Sequence, residues 1–81
     1  MEKGRSVLSV KDYGRVTVHL RELMDAQEIS RNQMAQNINA RFEVVDKWYS
    51  GDISRIDADV LARICYALDC TVQDILKYEK D

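Results

Sequence analysis

The sequence contains no proline and only three glycines among its 81 residues. These two residue types most often interrupt regular secondary structure, so their scarcity favours a helical protein. Hydrophobic residues make up 46% of the chain, which argues against a disordered segment. A chain of this length forms one small domain and is too short for a two-domain enzyme with a deep cleft. We therefore predict an all-α fold, a compact bundle of about five short helices.

Long hydrophobic runs are also absent from the sequence. No apolar stretch approaches the roughly 20 residues that a helix needs to span a bilayer. The N-terminal residues show no hydrophobic stretch of the signal-peptide type. We expect a cytoplasmic protein with no membrane partner.

The sequence has two cysteines and one histidine, and it lacks the usual catalytic motifs. Cys65 and Cys70 could pair or bind a metal, but His19 is far away in sequence and there is no second cysteine pair. Buried, reduced thiols are therefore predicted. There is no glycine-rich phosphate loop, and no serine, cysteine or second carboxylate is arranged around His19 as in a triad. We predict no catalytic residue, no cofactor, no metal site and no small-molecule substrate.

Charge is distributed unevenly along the chain, whose net charge is −2. Residues 1–28 carry five basic and five acidic groups, and residues 29–55 carry four basic and three acidic groups. The remaining residues, 56–81, carry three basic and six acidic groups. Negative charge is thus concentrated in the C-terminal third. A middle segment of this composition can bind a nucleic acid through a few well-placed cations. The electrostatic field of the whole protein is, however, too weak to accelerate the association strongly.

The segment Arg31–Ser50 has the pattern of two short helices joined by a tight turn. Asn39 lies at the turn, where one residue must adopt a positive φ and asparagine is a common substitute for glycine. The small Ala35 lies where the two helices must cross closely. The predicted inward-facing residues are Met34, Ile38, Ala40, Val45 and Trp48. Trp48 is therefore predicted to lie in the core rather than to stack on a base.

Capping residues and hydrophobic spacing predict the remaining helices. We expect one helix over about His19–Gln27, one that Ser30 caps and that ends near Asn37, and one over Phe42–Tyr49. Asp57 is predicted to cap a longer helix with an apolar stripe at Val60, Leu61, Ile64, Cys65 and Leu68. Thr71 and Asp74 imitate a capping box at the start of the last helix. That helix is expected to bury Val72, Ile75 and Leu76.

The two ends of the sequence are less distinct. Residues 15–18 suit either the first turn of a helix or a short strand, since their apolar positions match both periods. If they are extended, residues 78–81 could pair with them. We assign residues 1–12 to an N-terminal arm and residues 13–81 to the folded domain. In the arm, the apolar Val7, Leu8 and Val10 suit an edge strand or a disordered segment.

The segment Ile29–Gly51 resembles the helix-turn-helix of the phage Cro/repressor-like (Xre) transcription regulators. The positions that carry the resemblance are Ile29-Ser30, Met34-Ala35, Asn39-Ala40, Val45, Trp48 and Ser50-Gly51, which have the family's spacing without insertion. Residues 55–79 are similar to the two C-terminal helices of the family. The resemblance implies a sequence-specific regulator of double-stranded DNA that acts as a homodimer. It also implies that the helix Phe42–Tyr49 enters the major groove.

The resemblance and the helix positions together predict the DNA contacts. The first turn of the earlier helix, with Arg31, Asn32 and Gln33, suits a phosphate. Arg41 and Lys47 could reach a phosphate or a guanine edge, whereas Ser50 and Arg55 are placed for backbone contacts. Three further residues could read bases: Glu43 through a cytosine amino group, and Phe42 or Val44 through a thymine methyl group.

The predicted recognition helix differs from the usual recognition helix of the family, and these differences suggest an alternative function. Glu43 and Asp46 would face a polyanion, which lowers affinity unless each carboxylate has a partner. Phe42, Val44 and Tyr49 form an apolar face that also suits a protein partner. The same fold could therefore serve as a protein-interaction module of the antitoxin or anti-repressor type.

Overall fold

A computed structural model of the chain describes residues 4–8 and 12–80. In this part of the chain five helices and two strands follow one another: β1 (Arg15–Val18), α1 (Leu20–Ala26), α2 (Arg31–Ile38), α3 (Phe42–Ser50), α4 (Ala58–Leu68), α5 (Val72–Ile75) and β2 (Leu76–Glu79). The fold is therefore not purely all-α, because the strand pair that the sequence allowed accompanies the helices. Val7 and Leu8 lie in a bend and a turn instead of a strand, while Val10 and Asp81 lie outside the described residues.

The predicted capping residues lie at the N-termini of three helices. Ser30 Oγ accepts a hydrogen bond from the backbone N–H of Gln33 at 3.1 Å. Asp57 Oδ1 accepts from two N–H groups in the first turn of α4, at 2.9 and 3.2 Å. Thr71 and Asp74 form a capping box. The backbone N–H and the hydroxyl of Thr71, both bonded to the Asp74 carboxylate, hold the pKa of Asp74 below its ordinary value.

Four helices end in the same way, with one residue in the left-handed region. The positive φ angles are 58° at Glu28, 55° at Asn39, 81° at Gly51 and 51° at Asp69. In each case the next N–H donates to the carbonyl five residues earlier, as Ala40 does to Ala35 at 2.9 Å. The predicted turn at Asn39 is confirmed. Glu28 and Asp69 show that a polar residue other than glycine can occupy this position at a modest cost in conformational energy.

The core lies between α1, α2, α3, α4 and α5. Among the described residues, the buried hydrophobic side chains are Leu20, Met24, Met34, Ala35, Ile38, Val45, Trp48, Leu61, Ile64, Leu68 and Ile75. Val45 and Trp48 face inward as predicted. Val72, by contrast, was predicted to be buried and is 48% exposed. It occupies the first position of a four-residue helix, and only Ile75 of that helix is fully buried.

The two strands pair in antiparallel register and form an amphipathic sheet. Val16 lies opposite Tyr78, and Val18 lies opposite Leu76. These residues share one face of the sheet because directly opposite residues point to the same side. Val18 and Leu76 pack against the core, whereas the outer pair extends past the core and is exposed. The other face carries the polar residues Arg15, Thr17, Lys77 and Glu79.

His19 joins the sheet to α1 through hydrogen bonds. Its Nε2 is 2.7 Å from Thr17 Oγ1, and its Nδ1 is 2.9 Å from Glu22 Oε2. The carboxylate of Glu22 beside the ring was not predicted from the sequence. The Thr17 hydroxyl also donates to Glu79 Oε2 at 2.8 Å. The cluster therefore connects β1, α1 and β2 as a structural contact.

The cysteines are free and only partly buried. Cys70 follows the end of α4, and its N–H donates to the Cys65 carbonyl oxygen at 3.0 Å. Burial, with a smaller contribution from the neighbouring Cys65, raises the pKa of Cys70 to about 11. This thiol is therefore protonated and weakly reactive at neutral pH.

None of the helices in the described ranges combines the length and the apolar character that crossing a membrane requires.

Candidate nucleic-acid interface

The helix pair α2 and α3 is joined by the turn Asn39–Arg41, as the sequence analysis expected. Ala35 and Ile38 of α2 are buried against the core, and Val45 and Trp48 anchor α3 there. Because these residues face inward, the opposite side of α3 must face solvent. This geometry presents one side of α3 along its full length on the protein surface.

The exposed surface contains most of the predicted contact residues. In the first turn of α2, Arg31, Asn32 and Gln33 are exposed. On and around α3 the exposed members are Arg41, Phe42, Glu43, Lys47, Ser50 and Arg55, whereas Val44 is half-buried. The structure thus brings the first turn of α2 and the outer side of α3 onto neighbouring surfaces. Val44 contributes least to this surface because part of it packs against the core.

Arg31 is held within the protein by contacts with α3. Its Nη1 lies 2.6 Å from Asp46 Oδ1. The guanidinium also lies over two rings, 5.5 Å from the centroid of Phe42 and 5.2 Å from that of Tyr49. The pair is about half exposed, at 46% and 45% for the two side chains, so its direct contribution to stability is small. Its main effect is to place a positive charge beside the Asp46 carboxylate.

Tyr49 extends this network to α1. Its ring lies between two guanidinium groups, because Arg21 is 5.5 Å from the centroid on the α1 side. The Tyr49 hydroxyl donates to Asp25 Oδ1 at 2.9 Å, and the same carboxylate pairs with Arg21 at 3.8 Å. The arrangement fixes the tyrosine between α1, α2 and α3.

This network was not predicted from the sequence, although a signal for it is present. Phe42, Asp46 and Tyr49 have the i, i+4, i+7 spacing of one helix face. A face that combines two aromatic rings and a carboxylate suits an arginine, which stacks and pairs at once. Which arginine would reach it depends on how α2 crosses α3, and that is a tertiary property.

Arg63 supports the turn between α2 and α3 from the other side. It pairs with Asp59, four residues earlier on α4, at 2.9 Å. Its Nη1 also donates to the Ile38 carbonyl oxygen at 3.1 Å and to that of Asn39 at 3.4 Å. A cation at these carbonyls satisfies acceptors that the end of a helix leaves free. The turn that sets the angle between the two helices is therefore held by α4.

Three cations on the exposed surface remain available. In the described part of the chain, no residue forms an ion pair or a hydrogen bond with the side chains of Arg41, Lys47 and Arg55. Glu43 likewise has no ion-pair partner among these residues. Gln33 and Ser50 are engaged locally, through Asn37 at 2.8 Å and the Lys47 carbonyl oxygen at 3.1 Å. With Asp46 neutralised by Arg31, the outer side of α3 carries a net positive charge.

Comparison with known proteins identifies the fold and the family. A proposed DNA-binding protein from Bacteroides fragilis has a similar structure, with a TM-score of 0.68 and 11% identity, over 78% of this chain and 100% of that one. The transcriptional regulator VanUg gives a TM-score of 0.68 at 18% identity, over 95% of this chain and 100% of its own. At these identities the likeness shows the fold alone. No curated protein matches the chain in sequence. The model of the Cro/C1-type helix-turn-helix DNA-binding domain matches residues 19–81, and the protein therefore belongs to that family.

Proposed function

We propose that the protein is a cytoplasmic, sequence-specific transcription regulator that inserts α3 into the major groove of double-stranded DNA. The observation that carries this proposal is the outer side of α3, where Arg41 and Lys47 are exposed and unpaired among the described residues. An exposed helix can enter the major groove, and free cations at its start and near its end can contact the phosphate backbone on each side of the groove. A homodimer would read an inverted repeat with half-sites about 34 Å apart.

The residues on this surface take different roles in the proposed complex. Arg41 and Lys47 bind phosphates or guanine edges, and Glu43 accepts from a cytosine amino group. Phe42 and Val44 contact thymine methyl groups, although the half-buried Val44 reaches less far. Phosphates on the flanking backbone are contacted by the remaining members of the predicted set, which are Asn32, Gln33, Ser50 and Arg55.

Arg31 has two roles in this proposal. Its backbone N–H lies in the first turn of α2, where free donors and the helix dipole favour a phosphate. Its side chain neutralises Asp46, which would otherwise repel the DNA. The guanidinium thus acts mainly by removing an unfavourable charge from the face of α3 and by holding Phe42 in place.

The protein-interaction alternative receives less support. Its apolar face requires Phe42, Val44 and Tyr49 to be available together. Tyr49 is half-buried between two guanidinium groups, and Phe42 is partly covered by Arg31. Charged groups therefore interrupt the face, and no continuous apolar patch remains for a partner.

Selection of DNA fragments at two salt concentrations tests the proposal. We expect the purified protein to recover a recurrent inverted repeat, and we expect Arg41→Ala and Lys47→Ala each to weaken binding to it by about tenfold. Each lost phosphate contact should also lower the slope of log K against log salt by about 0.9. Lys80→Ala, which removes a charge outside α2 and α3, is the control and should bind normally. Failure to recover a repeat, or unchanged affinity in both α3 variants, would contradict the proposal.

A double-mutant cycle tests the role of Arg31. We expect Arg31→Gln to weaken DNA binding because Asp46 is left unneutralised. The double variant Arg31→Gln with Asp46→Asn should recover most of the loss, with a coupling energy of about 0.5–1 kcal/mol. If the Arg31 side chain instead binds a phosphate directly, the effects of the two substitutions will be additive and the coupling energy will be close to zero. Thermal unfolding of each variant checks that the fold is retained.

A further inference from the structure

The two cysteines lie on either side of the turn that ends α4. Between them, Asp69 has a φ of 51°, in the left-handed region. The Asp69 N–H donates to the Tyr66 carbonyl oxygen at 3.3 Å, and the Cys70 N–H donates to that of Cys65 at 3.0 Å. These two bonds define the Schellman motif, in which the two residues joined by the longer loop commonly bring their side chains into contact. The motif therefore places the side chains of Cys65 and Cys70 next to each other.

The two thiols are reduced, reachable and close together. Neither cysteine forms a disulfide bond, and both side chains are only half-buried. The thiols are near enough for a side-chain hydrogen bond between them. Because backbone hydrogen bonds hold the last turn of α4 and the residue after it, the thiols are brought together before any ligand binds. A pair of preorganised thiols can chelate a soft metal ion.

The surroundings of the thiols limit the number of ligands to two. In the described part of the chain, no three His, Cys, Asp or Glu side chains are grouped so that they could hold a metal ion. The Asp74 carboxylate acts on Cys70, but it accepts hydrogen bonds from the N–H and the hydroxyl of Thr71 at 2.9 and 3.0 Å. Zn²⁺ takes four protein ligands in a structural site and three in a catalytic one. A site with two thiols therefore suits an ion that is stable with two ligands.

We propose that Cys65 and Cys70 bind one Cu(I) ion per chain as a two-coordinate complex of two thiolates. Thiolates select soft ions such as Cu(I), whereas carboxylates and water suit Mg²⁺ and Ca²⁺. On binding, each thiol releases its proton to the solvent and each sulfur donates an electron pair to the ion, so the charge of the site changes from 0 to −1. No metal site was predicted from the sequence, because the contact between the cysteines depends on the left-handed turn between them.

Nearby carboxylates distinguish this site from a metal ion held at the acidic surface. Asp69 and Asp74 both act electrostatically on Cys70. Because the occupied thiolate site carries a negative charge, these carboxylates oppose the binding of the ion. Asp69→Asn should therefore bind Cu(I) about two- to fivefold more tightly, since asparagine also tolerates the left-handed conformation. Weaker binding by Asp69→Asn would indicate that carboxylates hold the ion and would overturn the proposal.

Anaerobic titration of the reduced protein with Cu(I), in competition with the chelator bicinchoninate, tests the site. We expect one ion to bind per chain, with two sulfur neighbours in X-ray absorption. Cys65→Ser and Cys70→Ser should each lower the affinity about 100-fold or more, because the loss of one thiol removes the chelate. His19→Gln, which removes the imidazole of the single histidine, is the control and should bind Cu(I) normally. Circular dichroism checks that each variant is folded, and Cys65→Ala or Cys70→Ala replaces a serine variant that is not.

A mixture of Cys65→Ser and Cys70→Ser distinguishes a site within one chain from a site between two chains. Each chain in the mixture keeps one thiol, so tight binding should not return. Recovery of tight binding would show that the ion bridges two copies, and it would overturn the proposal. Binding of two ions per chain, or an unchanged affinity in either single variant, would overturn it as well. The cysteines lie outside α2 and α3, so these outcomes are independent of the proposed DNA binding.

Discussion

Replacing Trp48 with alanine is expected to lower the free energy of unfolding by about 3–5 kcal/mol. Trp48 is 3% exposed and is the largest side chain that α3 contributes to the core. Its truncation removes the apolar contact area of an indole and leaves a cavity that neighbours in a small domain can only partly fill. A domain of this size has a total stability of about 4–12 kcal/mol, so the loss removes a quarter of the stability or more, and at the lower end of the range a considerable fraction of the variant should be unfolded at 25 °C. Urea unfolding followed by circular dichroism measures the change.

Tyr66 provides a matched control for this variant. It is an aromatic residue on α4 that is 91% exposed, so Tyr66→Ala should change the stability by less than about 0.5 kcal/mol. A loss below about 1 kcal/mol in Trp48→Ala would contradict the core position of this residue. Such a result would favour the view that the indole is available to a base.

The local signals in the sequence predicted the helices well. Ser30, Asp57 and Thr71 cap helices because short polar side chains satisfy N–H groups that every helix leaves free, and this requirement depends only on neighbouring residues. The same holds for Asn39, whose positive φ is a property of one residue in a tight turn. Buried positions at helical spacing, such as Val45 and Trp48, were also predictable. Because these features position α3, most of the candidate interface could be predicted from residues that are close together in the sequence.

Features that depend on distant residues were not predictable in the same way. The apolar residues in segment 15–18 have a spacing that suits both a strand and a helix. The segment forms a strand because it pairs with residues 76–79, which are distant in sequence. The pairing of Arg31 with Asp46 was not predicted because the two residues are 15 apart in sequence and are brought together by the crossing of two helices. Val72 was misassigned because a stripe of apolar residues does not reveal that a helix will stop after four residues.

Gly14→Ala is the second substitution with a large expected effect, a loss of about 2–3 kcal/mol in the free energy of unfolding. Gly14 has a φ of +84°, which disfavours any side chain. In addition, a β-carbon at this position would lie 2.6 Å from the Glu79 carbonyl oxygen and 2.8 Å from the Tyr78 hydroxyl. The carbonyl belongs to the backbone of β2 and cannot rotate away. The two strands must therefore separate at this end, which amide exchange at Arg15 and Thr17 should reveal.

Gly51→Ala separates the two causes of this loss. Gly51 has nearly the same φ, +81°, but its nearest neighbour would be the Val18 carbonyl oxygen at an ordinary contact distance of 3.9 Å. This control therefore carries only the dihedral strain, about 1 kcal/mol, and should leave the strand pair closed. Equal losses of unfolding free energy in the two variants would show that the close approach of the new β-carbon to the Glu79 carbonyl oxygen does not destabilise the fold. A larger loss in Gly14→Ala would establish that glycine is required there so that β1 can lie against the end of β2.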